Sequence, residues 1–176
     1  MPNTFIKIAS ATVGSGGSAS ISFSSIPSGF TDLCIKVSAR GAGSNVGLVT
    51  QFNGDTGANY NWLRIYGDGF NTNNQKGSTL GPPYTSFVLA TNITPSTYTA
   101  NAFGNAEIYI PNYGSSNFKT TSSEGVVENN ATLGELYLTA GIWNNTSAIT
   151  SISFSLDGGG SFAQYSTIIL YGISKS

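Results

Sequence analysis

The chain contains 176 residues, with 7 basic and 8 acidic side chains, no histidine and a formal net charge of −1. Charged residues make up only 9% of the sequence, against about 25% in ordinary soluble domains, so no basic surface for nucleic acid is expected. The absence of histidine excludes Ser-His-Asp and Cys-His catalysis and ordinary zinc sites.

We expect residues 1–176 to form one domain, because a chain of this length buries roughly 70% of its unfolded surface. Apolar residues make up 39% of the sequence and aromatic residues 12%, enough for a packed core beneath a polar, uncharged surface. The single cysteine, Cys34, lies in an apolar run and is interpreted as a buried structural thiol. No signal peptide or membrane span is recognised, so we expect synthesis in the cytoplasm and no membrane partner.

Short segments with a period of two, which is typical of strands, follow one another through the first part of the chain. The clearest spans 30–41, where four apolar residues alternate with Lys36, Ser38 and Arg40. In the segment 60–66, aromatic residues and Arg64 occupy one face and two aliphatic residues the other. The strands predicted in this part are 4–13, 18–24, 30–41, 46–52 and 60–66.

Residues 67–83 form the longest stretch without a regular pattern, and loops of that length are often functional. Strands are predicted again at 84–91, 103–110, 117–127, 135–143 and 148–156. No segment combines helical spacing of apolar residues with capping residues. Ten or more short strands therefore predict an all-β fold, a single-domain β-sandwich of the jelly-roll type.

The last segment, 158–173, begins with glycines and becomes apolar on both faces. Ile168 and Leu170 lie on one face, and Ile169 and Tyr171 lie on the other. A strand covered on both faces lies inside a sheet. The sequence therefore predicts a last strand inserted centrally, with the rest of the sheet around it.

No group of residues identifies a catalytic, cofactor or metal site. The eight acids could supply a carboxylate pair for glycoside cleavage, but most occupy turns and nothing selects two of them. The segment 53–57 alternates oxygen-bearing residues with glycine, as half a calcium loop does, but it lacks the run of acids and the distal glutamate. We interpret it as a hairpin turn.

Four aromatic residues are candidates for a platform on which sugar rings stack: Tyr60, Trp62, Tyr66 and Trp143. The first three recur on one face of the predicted strand 60–66. Aromatic residues dominate cores and interfaces, so packing in the core or in a subunit interface is the preferred interpretation.

Several motifs resemble small virion structural proteins of tailed phages, especially those of cyanobacteria and marine bacteria, and the likeness covers nearly the whole chain. The residues that carry it are 52–57, Asn59, Tyr60, Arg64, 66–69, 148–152, 162–166 and 170–173. The resemblance implies a head decoration or cement protein, usually a trimer, bound to the major capsid protein on the capsid exterior. It brings no catalytic residues and no cofactor.

We expect the contact with the capsid or with a neighbouring subunit in the N-terminal strand, within residues 1–13, and in the stretch 67–83. The residues expected to supply it are Pro2, Asn3, Phe5, Phe70, Asn71, Asn73 and Gln75. The alternative is a receptor-binding tip of a tail fibre or spike that recognises a host-surface glycan through the aromatic platform. A fibre protein commonly carries a repetitive N-terminal shaft, whereas the predicted strands of this chain begin at residue 4, so we expect decoration rather than a fibre tip. A polysaccharide hydrolase ranks third for want of identifiable acids.

Overall fold

The structure, a computed structural model, describes residues 4–44, 46–68, 72–76, 86–131 and 133–174. This part of the chain contains twelve strands and no helix, which confirms the all-β prediction. The strands are β1 (Phe5–Thr12), β2 (Ser20–Phe23), β3 (Asp32–Ala39), β4 (Gly47–Phe52), β5 (Tyr60–Gly67), β6 (Thr72–Lys76), β7 (Val88–Asn92), β8 (Gly104–Ile110), β9 (Lys119–Glu128), β10 (Gly134–Trp143), β11 (Ile152–Leu156) and β12 (Thr167–Ile173).

The strands form two antiparallel sheets in a jelly-roll arrangement. One sheet begins β1-β12-β3-β8, and the other has the order β2-β11-β4-β7. In each sheet, strands from the first part of the chain lie next to strands from the last part, which is the strand order of a jelly roll built from two Greek keys. The larger sheet continues past β8 with four added strands in the order β9-β10-β5-β6, and β7 packs across β9 and β10. The predicted jelly-roll sandwich is confirmed.

The core lies between the sheets and follows the predicted alternation. Ile35 and Val37 of β3 are buried, whereas Lys36 between them is exposed. Phe154 of β11 alternates with serines and faces the larger sheet as part of the same buried cluster. Cys34 is fully buried and forms no disulfide, and burial raises the pKa of its thiol. These residues agree with the sequence prediction.

The position of the last strand differs from the prediction. β12 lies second from the edge of the larger sheet, between β1 and β3, so it is not central. Ile168 and Leu170 are buried on its inner face, whereas Ile169 and Tyr171 are only partly covered. The outer face is apolar because neighbouring side chains shield it in part: the rings of Phe5 and Tyr171 meet edge to face, 6.3 Å apart.

The stretch 67–83, predicted to lack regular structure, contains β6, which pairs with β5 at the edge of the larger sheet. Its sequence, TNNQK, has no apolar alternation because an edge strand can be polar throughout. The pattern of apolar residues therefore gives no signal for this strand. Residues 69–71 and 77–83 of this stretch lie outside the described residues, as do residues 84 and 85 at the start of the predicted strand 84–91.

Candidate functional site

The outer face of the added strands carries aliphatic side chains that the fold leaves exposed. In β5 the inner positions hold Tyr60 and Arg64, so the period of two turns Leu63 and Ile65 outward. In β10 the inner positions hold Tyr137 and Thr139. Its outward positions are again aliphatic. On β5 and β10, large side chains therefore occupy both faces of the sheet, with aromatic residues on the inner face and aliphatic residues on the outer one.

Strand register brings these outward side chains together. Leu138 pairs with Ile65 on β5, and Leu136 pairs with Val126 on β9. Together with Leu63 they form one surface of five aliphatic residues, 39% to 64% exposed, which we call the aliphatic patch. Contiguous apolar surface of this kind marks a place where a protein binds a partner.

An open groove of about 570 Å³ runs along the patch on the same face. Val126, Leu136 and Leu138 line it on the side of β9 and β10. Lys36 of β3 and Glu107 of β8 line the opposite side. The face therefore has an aliphatic part and, beside it, a charged part.

The charged part brings together two of the acids among which the sequence could not choose. Glu107 and Glu124 are directly opposite each other on β8 and β9, an arrangement that destabilises a sheet unless a cation compensates. Lys36 bonds Glu107 from the neighbouring strand. The ion pair is partly exposed and adds little stability. The two carboxylates are side by side because of strand pairing, which is not by itself a catalytic arrangement.

Among the predicted contact residues, the three that the structure describes lie at two different edges of the larger sheet. Phe5 lies on β1 and is half exposed, whereas Asn73 and Gln75 lie on β6 at the opposite edge of the larger sheet. Seven strand spacings of about 4.8 Å, roughly 34 Å in total, separate the two edges. The remaining predicted contact residues lie outside the described residues: Pro2, Asn3, Phe70 and Asn71.

The four aromatic candidates for a glycan platform divide into two groups. Tyr60 and Trp143 are fully buried and stack on each other at 6.2 Å, so neither ring is open to a sugar. They belong to the core, as the preferred interpretation holds. Trp62 and Tyr66 are partly exposed. Trp62 also packs against the core, and the ring of Tyr66 stacks on that of Tyr137 at 5.7 Å.

Arg64 occupies the middle of this aromatic face. Its guanidinium lies 5.0 Å from the ring of Tyr137, 5.6 Å from that of Tyr66 and 5.9 Å from that of Trp62. It also donates a 2.9 Å hydrogen bond to Asn92 Oδ1. Burial lowers the pKa of Arg64, and nearby tyrosines oppose that effect. Arg64 is therefore paired within the fold, by Asn92 and by the surrounding aromatic rings.

Hydrogen bonds extend this cluster on its far side. Tyr137 donates to Glu135 and accepts a 2.9 Å bond from Asn92 Nδ2. Burial, followed by the interaction with Glu135, raises the pKa of Tyr137. Tyr98 also bonds Glu135, at 3.3 Å. A network bonded in this way holds β5, β7 and β10 together, which is a structural role.

The turn between β4 and β5 is built around an Asn-Gly pair. Asn53 and Gly54 both have positive φ, 53° and 66°, as in a tight turn of type I′. β4 and β5 lie in different sheets and do not pair, so the predicted hairpin is wrong: the turn carries the chain from one sheet to the other. Asn53 Nδ2 donates to the carbonyl of Ala148, and its Oδ1 accepts from the amide of Thr150, both at 2.8 Å. The asparagine therefore ties the turn to the segment that precedes β11.

Asp55, in the same turn, accepts hydrogen bonds from three groups of this chain. Trp143 Nε1 donates at 2.8 Å, Asn59 Nδ2 at 2.9 Å and the amide of Gly57 at 2.9 Å. Burial would raise the pKa of Asp55, but these bonds outweigh it and lower the pKa. Asp55, the acid of the 53–57 segment, therefore has a structural role: its carboxylate holds the turn by hydrogen bonds. In the described part of the chain, no three histidine, cysteine or acidic residues group as metal ligands do.

Comparison with protein-family models and with curated protein sequences finds no match. No helix in the described part of the chain is long and apolar enough to cross a membrane. The aliphatic patch is the main feature that sequence reasoning missed. Its signal was present in β5, where aliphatic residues on one face oppose aromatic residues on the other.

Proposed function

We propose that this chain is a non-enzymatic structural protein of a tailed-phage virion, a decoration or cement protein bound to the major capsid protein on the capsid exterior. The observation that supports this role most is the aliphatic patch. A firmly paired sheet holds five aliphatic side chains on a face that polar residues would cover in a protein working alone. Such a face suits a protein that works as part of an assembly.

The surface chemistry supports the same role. Charged residues are sparse, at 9% of the chain, so a contact desolvates few charges. The edge strand β1 begins at Phe5, an exposed aromatic ring beside a strand edge with which no described strand pairs. We assign the capsid contact to this edge. Many weak contacts of this kind, repeated by the symmetry of a shell, add through effective concentration.

Removal and re-addition of the protein test the cement role. Particles stripped of it are expected to release their DNA at a lower temperature, measured with a DNA-binding dye, and the purified protein should restore the original temperature. Phe5→Asp should weaken this rebinding, whereas Phe118→Asp should not. The two phenylalanines are matched controls, 53% and 55% exposed. Equal release temperatures for stripped and intact particles would contradict the role.

The second candidate function is glycan recognition at the tip of a fibre or spike. The partial exposure of Trp62 and Tyr66 beside Arg64 favours it, because aromatic faces stack on sugar rings. Trp62→Leu should then reduce adsorption to host cells while particle assembly stays normal. Tyr165→Leu, at an exposed ring outside this cluster, is the control. Unchanged adsorption in the Trp62 variant would remove this candidate.

A further inference from the structure

Glu124 lies at the boundary between the charged part of the outer face and the aliphatic patch. Strand register places Glu107 beside it on β8 and Leu138 beside it on β10. Glu107 is bonded to Lys36, but within the described part of the chain no hydrogen bond or ion pair involves the exposed carboxylate of Glu124. A carboxylate opposite a second carboxylate needs a cation to compensate it, and Lys36 is one cation for two carboxylates.

Two grooves meet at the carboxylate of Glu124. The groove of about 570 Å³ crosses β3, β8, β9 and β10 on the side of Val126. A smaller groove of about 250 Å³ lies on the side of Tyr109. Glu124 and Leu138 line both grooves. A ligand can therefore reach the carboxylate from either side, and aliphatic surface begins one strand spacing away, about 4.8 Å.

We propose that this face binds an extended segment of a partner protein, in which an arginine or lysine side chain meets Glu124 and neighbouring aliphatic side chains cover the aliphatic patch. The uncompensated charge of Glu124 selects a cation by charge complementarity. An arginine suits both parts of the face, because its methylene stem can lie on Leu138 while its guanidinium bonds the carboxylate. The binding of such a segment goes beyond the virion role proposed above and does not depend on it.

The spacing of the face defines where the aliphatic residues of the segment lie. Leu138 and Ile65 follow Glu124 in one row across β10 and β5, about 5 and 10 Å from it. Side chains on one side of an extended segment recur every two residues, about 6.6 Å. A segment that crosses the strands above this row therefore places an aliphatic side chain, two positions from its basic residue, between Leu138 and Ile65.

Area and charge argue against other occupants of this face. The five side chains of the patch leave on the order of 500 Å² of apolar surface in contact with water. Each partner in a standard interface buries about 800 Å², so a segment fits better than a whole protein face. A second copy that met this face through its own patch would offer aliphatic side chains and further carboxylates rather than a cation. The same carboxylates would be repelled by an anionic membrane surface.

Nuclear magnetic resonance of the isotope-labelled chain tests the proposal with synthetic peptides. The probe is acetyl-TVTRTLT-amide, which in extended form carries valine, arginine and leucine on one side. Its addition should shift the amide signals of Glu124, Val126 and Leu138, and the shifts should saturate below millimolar peptide. A peptide with citrulline in place of arginine has the same shape without the charge and should bind about tenfold more weakly. Unchanged signals up to millimolar arginine peptide, or equal affinity for the two peptides, would overturn the proposal.

Variants of the chain assign the effect to Glu124. Glu124→Gln should weaken binding of the arginine peptide about tenfold. The variant and the citrulline peptide together should cost no more than either change alone, because both changes remove one interaction. Glu128→Gln is the matched control and should leave binding unchanged. Glu128 lies on the same face of β9, about 13 Å farther along the strand, and its carboxylate accepts the amide of Asn130.

Stability separates a binding role of Glu124 from a structural one. Glu124→Gln removes the repulsion with Glu107, so the midpoint of its urea unfolding should equal that of the wild type or be higher. A lower midpoint would show that the carboxylate serves the fold, and it would overturn the proposal. Additive effects of Glu124→Gln and citrulline, or equal weakening by Glu128→Gln, would overturn it as well.

Discussion

Replacement of Asp55 by alanine should destabilise the fold by about 3 kcal/mol, although Asp55 lies in a surface turn. The carboxylate accepts the indole N–H of Trp143 at 2.8 Å, and Trp143 is among the largest fully buried side chains. Without Asp55 this buried donor loses its partner, which costs about 1–3 kcal/mol. The bonds from Asn59 and Gly57 are also charge-assisted and are lost together.

Urea unfolding at neutral pH measures this effect. A loss of about 3 kcal/mol corresponds to a melting temperature lower by about 6–12 °C for a domain of this size. Asp157→Ala is the control, because it removes the same charge from an exposed residue and should change stability by less than about 0.5 kcal/mol. An Asp55→Ala variant within about 0.5 kcal/mol of wild type would refute the reasoning.

The lowered pKa of Asp55 also predicts how the stability difference between wild type and Asp55→Ala depends on pH. A carboxyl group whose pKa is lower in the folded chain than its ordinary value of 3.8 stabilises the fold above that value. The stabilisation is lost as the pH falls below it. The difference between wild type and Asp55→Ala should therefore be largest at neutral pH and should narrow below about pH 4.

Three further predictions concern other parts of the fold. Burial raises the pKa of Tyr60 to about 12 from 10.0, so the stability of the wild type should fall as the pH rises from 10 to 12. The stability of Tyr60→Phe should fall less over the same range in an alkaline titration. Arg40 donates to four loop carbonyls at 2.9–3.0 Å, and Arg40→Lys should cost about 2 kcal/mol in urea unfolding because lysine lacks the planar fork; an unchanged midpoint would contradict this role. A Cβ at Gly125 would lie 2.0 Å from Thr91 Oγ1, so Gly125→Ala should cost about 1–3 kcal/mol by pushing β7 from β9, and equal thermal stability would show that β7 can move away freely.

Alternation within single strands could be predicted from the sequence, because burial on one face selects apolar residues at every second position. β3 is the clearest case, with Lys36 exposed between buried Ile35 and Val37. The Asn53–Gly54 turn could be predicted for a different reason, since positive φ at both positions favours those two residues.

Strand order was harder to predict, because alternation does not say which strands are neighbours. β12 was predicted to be central from its apolar faces, yet β1 alone separates it from the edge. β6 gave no signal because its residues are polar.

The candidate site could be predicted only in part. The aromatic face of β5 was recognised, and half of the aromatic candidates, Tyr60 and Trp143, proved to be core. The aliphatic patch depends on the pairing of β5, β9 and β10, which brings together residues up to 75 positions apart. The alternation pattern of each strand taken alone does not reveal that Leu63 and Leu138 share one exposed face. The exposed face follows from topology, since β2, β11, β4 and β7 cover only one side of the larger sheet.

The copy number of this protein in purified virions tests the proposed decoration role most directly. Quantitative mass spectrometry with isotope-labelled peptides from this chain and from the major capsid protein gives the ratio of the two. We predict a ratio near one or a simple fraction of it, as for a protein that repeats with the capsid lattice. A few copies per particle would contradict the decoration role and would make glycan recognition at the tail, through Trp62 and Tyr66, the leading function.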